Sequence, residues 1–124
     1  MSTEESTSTG SRGNGSSAAA ISNMMVGLLR DHTGRGPTKA RTHISDDLVT
    51  CLLQDNLTRG EQVLADNGEA DKVLDLRRTH QRLMRDEAVQ GVEEILHRRV
   101  VSFMSDNTIE PDLAIEVFVL APKD

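Results

Sequence analysis

Apolar residues first fall into a pattern at Ile21, Met24, Met25, Leu28 and Leu29, three and four positions apart. That is the spacing of one buried stripe on a helix, here expected to start at a Ser16 or Ser17 cap and to end near Asp31. Gly34 supplies the left-handed residue that commonly closes a helix, and Pro37 prevents its resumption. From Lys39 to Asp55 the pattern predicts a strand. Its first half carries Lys39, Arg41, His43 and Asp46 on one exposed side. Its second half, Leu48-Val49-Thr50-Cys51-Leu52-Leu53, is apolar at five of six positions with no charge. Side chains on both faces of that run need cover from other elements.

Leu57-Thr58-Arg59-Gly60-Glu61 reads as a capping box, with Thr58 bonding forward and Glu61 back, opening a short helix that stops at Asn67-Gly68. Val63 and Leu64 are its expected anchors. Between Glu69 and about His97 a wide stripe runs through Ala70, Val73, Leu74, Leu76, Leu83, Met84, Ala88, Val92, Ile95 and Leu96, opposite a highly charged side. Gly91 is a weak point in this long helix unless a neighbour packs closely there. Val100 to Met104 and Leu113 to Leu120 then read as strands, joined by a loop of turn-forming residues from Ser105 to Asp112. In the last strand only Glu116 interrupts two apolar faces.

The predicted order is helix, strand, helix, helix, strand, strand: an α+β fold with a three-stranded, mainly antiparallel sheet and helices on one face. The other face is expected to meet a second copy of the chain, giving a homodimer. Residues 1–17, rich in Ser, Thr, Gly and Glu, read as a disordered tail. Residues 18–122 read as one domain.

Composition narrows the function classes. Asp and Glu outnumber Lys and Arg by 20 to 14, and the chain has two Phe, no Tyr and no Trp. Neither a phosphate-gripping surface nor an aromatic stacking platform is available, so nucleic acid is not an expected partner. One cysteine, Cys51, cannot form an intrachain disulfide, and its apolar surroundings suit a reduced interior. No secretory leader and no apolar stretch approaching the ~20 residues of a spanning helix is visible, so a cytoplasmic location without direct membrane insertion is expected.

Few motifs carry chemistry. Gly34-Arg35-Gly36-Pro37-Thr38-Lys39 looks like a phosphate loop, but it follows a helix C-terminus, whereas phosphates are cradled at helix N-termini. A structural turn is the better reading. Arg78, Arg82 and Arg85 form a basic stripe, read as a solvated face with local ion pairs to Asp75 and Asp86. The histidines His32, His43, His80 and His97 lack zinc spacing. His43, near Asp46, Asp47 and Ser45, has no accompanying nucleophile arrangement. Asp46, Asp47, Asp106, Asp112 and Glu116 could gather round a cation, although capping and turn roles explain the aspartates. No catalytic residue, metal site or cofactor is expected.

Several segments in order nevertheless resemble a known family. These are Ile21-Ser22-Asn23-Met24-Met25-Val26, Thr33-Gly34-Arg35-Gly36-Pro37-Thr38-Lys39-Ala40-Arg41, Asp46-Asp47-Leu48-Val49-Thr50, Leu57-Thr58-Arg59-Gly60-Glu61, Phe103-Met104-Ser105-Asp106 and Glu116-Val117-Phe118-Val119-Leu120. They are similar to the MpsC-like family, first described as a bacterial domain of unknown function and named for a sodium-translocating, membrane-potential-generating system. The resemblance covers nearly all of Ala18 to Pro122. It implies an accessory soluble component, encoded in some bacteria near membrane proteins of ion or inorganic-carbon uptake, and it brings no established catalytic or ligand residues. The expected role is therefore non-enzymatic docking on an integral membrane transport partner. Arg35, Lys39, Arg41, Asp46 and Glu116 form the candidate ligand- or partner-binding surface. The alternative is a regulatory domain that binds a small anion or metabolite through Arg35, Lys39 and Arg41 in the Gly34–Arg41 turn.

Overall fold

The structure, a computed structural model, describes residues 11–123. It contains helix α1 (Ser11–Thr33), strands β1 (Lys39–Ser45) and β2 (Leu48–Gln54), helices α2 (Arg59–Asp66) and α3 (Ala70–Leu96), and strands β3 (Val100–Thr108) and β4 (Leu113–Leu120). The first ten residues of the expected tail lie outside the described residues. Helix α1 begins at Ser11, ahead of the expected Ser16 or Ser17 cap.

The sheet has four strands, not three, in the order β1-β2-β4-β3, and each neighbouring pair is antiparallel. The extra strand arises because the expected single strand over Lys39 to Asp55 folds back on itself. Ser45 pairs directly with Leu48, leaving Asp46 and Asp47 as a two-residue turn. Asp46 takes φ 52°, a left-handed value that a short polar side chain tolerates better than most. The two halves thus have different patterns for a physical reason. Alternating β1 is an edge strand, whereas the nearly continuous apolar run is β2, paired on both sides. The last hairpin is also tighter than expected, since β3 runs on to Thr108 and the turn shrinks to Ile109-Glu110-Pro111-Asp112.

Helix α1 lies over β1 and against α3, and α3 lies over β3, so both cover the same face of the sheet. Ile21, Met25 and Leu29 from α1 and Met84, Ala88 and Val92 from α3 meet Val49, Cys51, Leu53, Phe118 and Leu120 in one core. Burying a side chain of the size of Phe118 or Ile21 contributes about 1.5–3 kcal/mol each. The Met24 side chain of α1 packs onto α3 at Gly91, where an added Cβ would sit 2.9 Å from the Met24 sulfur.

The capping box at Thr58 forms as the sequence predicts: Glu61 N donates to Thr58 Oγ1 at 3.2 Å and Thr58 N donates to Glu61 Oε1 at 2.8 Å. Helix α2 is not anchored by Val63 and Leu64, which are 53% and 40% exposed. Its buried member is Glu61, whose carboxylate also accepts from Arg77 Nη1 of α3 at 3.2 Å.

Candidate functional site

Strand register decides which of the candidate residues can act together. Because directly opposed residues share a face, the pairings carry across the whole sheet as rows. On the face away from the helices the rows, read β1-β2-β4-β3, are Ser45-Leu48-Val119-Ser102 and His43-Thr50-Val117-Met104, then Arg41-Leu52-Ile115-Asp106 and Lys39-Gln54-Leu113-Thr108. On the covered face one row is Thr42-Cys51-Glu116-Ser105. Lys39 and Arg41 therefore stand on the open face, and Glu116 points into the core on the other.

The five candidates do not converge. Arg35 is held at the end of β2, where its Nη2 lies 2.7 Å from Asp55 Oδ2 and donates to the Asp55 carbonyl at 3.3 Å. Asp46 sits at the tip of the β1–β2 turn, at the far end of β1 from Lys39, and its carbonyl accepts from Arg98 Nη1 at 2.9 Å. Only Lys39 and Arg41 are neighbours on one surface, joined there by His43.

Glu116 occupies a polar layer built through an apolar core. Only 1% of it is exposed. Ser105 Oγ donates to its Oε1 at 2.5 Å and Gln81 Nε2 to its Oε2 at 3.4 Å. Gln81 in turn exchanges a pair of amide hydrogen bonds with Asn107, at 3.1 and 2.9 Å. On the α1 side the layer ends at Thr42, whose hydroxyl bonds that of Ser22 at 2.7 Å. Burial pushes the Glu116 carboxyl up to about 7, against the opposing pull of Ser105, Gln81 and the Arg77 charge. Burial likewise pushes the neighbouring Cys51 thiol up to about 11, so it rests as an unreactive thiol.

Two more of the candidate carboxylates, Asp112 and Asp47, do structural work. Asp112 accepts from the backbone N of Asn56 and of Leu57, both at 3.0 Å, and holds the start of α2 against the last hairpin. Asp47 accepts from Arg98 Nη2 at 2.6 Å, and the same nitrogen donates to the Ala121 carbonyl at 2.8 Å. Among the described residues no three His, Cys, Asp or Glu side chains gather round a common point.

What the open face offers is contact area. Leu48, Met104 and Ile115 are 43%, 53% and 38% exposed, with Thr50, Leu52, Leu113, Val117 and Val119 half-buried between them. A basic edge, Lys39-Arg41-His43 on β1, borders this apolar centre on one side. Asp106 on β3 borders it on the other. Sequence reasoning missed Asp106 as a counterpart to Arg41, because that relation exists only once four strands are in register. It also missed Arg77 and Gln81, although both fall in phase with Val73, Met84, Ala88 and Val92. Polar residues inside a helical apolar stripe were the available signal.

No helix among the described residues is long and apolar enough to cross a membrane. The family model described as "Na+-translocating membrane potential-generating system (MpsC)" matches residues 14–122. The uncharacterized protein YrhF of Bacillus subtilis (strain 168) is 30% identical over 98 residues, which is 77% of this chain and 80% of that protein. No solved structure matches.

Proposed function

The chain belongs to the MpsC family, and from that premise we propose that it is a non-enzymatic, cytoplasmic accessory protein of a membrane ion-transport assembly. It acts by binding other protein chains through the sheet face that its helices leave open. The observation that supports this reading is that face itself: apolar side chains from β2, β3 and β4, bordered by charges on both edges. Contiguous apolar surface rimmed by polar groups is characteristic of protein interfaces. Glu116, the one described carboxyl that burial holds near neutrality, is closed off beneath α3 and cannot meet a substrate. Arg35, bound to Asp55, is less suited to a small anion than to fixing the turn.

Affinity purification from detergent-solubilised membranes of the native host tests the role. An integral membrane protein is expected to co-purify, and Leu52→Asp with Ile115→Asp should abolish its recovery. Failure to recover any integral protein, or recovery indifferent to those substitutions, would overturn the proposal.

A further inference from the structure

Resting on the reading of the open face as a protein interface, we propose that its occupant is a second copy of this chain, and that the dimer so formed is the unit that docks on the membrane partner. The two sheets pack face to face about a two-fold axis parallel to the strands, so that Arg41 of each copy meets Asp106 of the other. The argument is one of symmetry and charge. Arg41 and Asp106 lie in the same row, Arg41-Leu52-Ile115-Asp106, at opposite edges of the same face. Three strand spacings of about 4.8 Å keep them ~14 Å apart within one sheet. None of the described ion pairs uses Lys39, Arg41 or Asp106.

A two-fold axis parallel to the strands exchanges left and right edges without moving residues along the strands. It therefore lays β1 of one copy over β3 of the other at the same height and brings Arg41 opposite Asp106 twice. Packed sheets stand about 10 Å apart, a gap that a long arginine and a short aspartate bridge together. The same operation stacks Leu52 on Ile115, Leu48 on Val119 and Thr50 on Val117 across the axis. The alternative axis, perpendicular to the strands, would set Lys39, Arg41 and His43 against their own copies. Like charges would then meet at the rim. The edge charges thus select one of the two simple arrangements, and a self-complementary surface is what a two-fold interface requires.

Sedimentation velocity on the full chain tests this, with circular dichroism confirming that each variant is folded. The unaltered protein is expected to be a dimer at tens of micromolar. Arg41→Glu and Asp106→Arg should each weaken it by at least about tenfold, since each turns two attractive contacts into two repulsive ones. Mixing the two variants in equal amounts should restore the dimer. In the mixed pair the introduced glutamate of one copy faces the introduced arginine of the other, and the unaltered Arg41 faces the unaltered Asp106, so both contacts are again of opposite charge. A monomeric unaltered protein overturns the proposal, as do single variants that remain dimeric or a mixture that stays monomeric. A monomer that still co-purifies with an integral membrane protein sinks the dimer alone. A dimer that responds to Leu52→Asp but not to either charge reversal sinks the Arg41–Asp106 geometry while leaving the face as an interface.

Discussion

Replacing Glu116 by Gln should make the protein more stable at pH 8 and stabilise it far less, by under about 1 kcal/mol, at pH 5. The carboxyl is held in the core by Ser105 and Gln81, and burial raises it from 4.5 to about 7. A folded-state value above the unfolded one means that between these two pH values the folded chain holds a proton that the unfolded chain has released. Stability therefore falls as pH rises through this window. Well below pH 4.5 both states are protonated and the penalty is absent; well above pH 7 both are ionised and it is complete. At 1.36 kcal/mol for each pH unit of the gap, the full penalty is roughly 3 kcal/mol, of which about 2–3 kcal/mol develops between pH 5 and pH 8. Glutamine has the same shape and carries no charge to bury; its amide oxygen can accept from Gln81 while its amide nitrogen donates to the Ser105 hydroxyl, which turns from donor to acceptor.

Urea unfolding followed by circular dichroism, at pH 5, 6, 7 and 8, measures the effect as the difference between variant and parent at each pH. His80, whose imidazole burial and the nearby Arg77 charge hold below its ordinary value, titrates in both proteins and cancels in that difference. The difference should grow with pH and level off above neutrality. A constant difference, or one that grows toward acid, would refute the reasoning that the carboxyl is desolvated and only partly compensated by its hydrogen bonds.

Two further substitutions examine how the helices are held. Arg77→Ala should cost about 3–5 kcal/mol in urea unfolding because it strands the buried Glu61 carboxylate, and adding Glu61→Gln should recover a large part of that loss. Equal costs for the single and double variants would show that Arg77 contributes packing alone. Gly91→Val should cost roughly 1–3 kcal/mol by driving a side chain into Met24, and the loss should shrink when Met24→Ala is added, a coupling read from a double-mutant cycle.

The helices were legible in the sequence because their signals are local. Thr58 and Glu61 are three residues apart, Gly34 closes α1 at φ 84°, and α3 keeps its period from Val73 to Val92. The fourth strand was not, since its turn is made by Asp46 and Asp47 without a glycine, and the apolar continuity of Leu48 to Leu53 masked the break before it. Glu116 stood out in its strand as an anomaly, yet its meaning depends on Gln81, 35 positions earlier, and on Ser105 across a hairpin. The candidate surface divides for the same reason. Residue type marked Lys39, Arg41 and Glu116 as charges among apolar neighbours, but only register sends the first two to the open face and the third into the core. Alternation within a strand says that neighbours face opposite ways. It does not say which way is inward until the pairing partners and the covering helices are known. Arg41 and Asp106, 65 positions apart in the chain, acquire a relation only through the two strands between them. Under the proposed symmetry that relation is completed by a second molecule, so its energetic consequence is absent from the isolated fold and emerges on association.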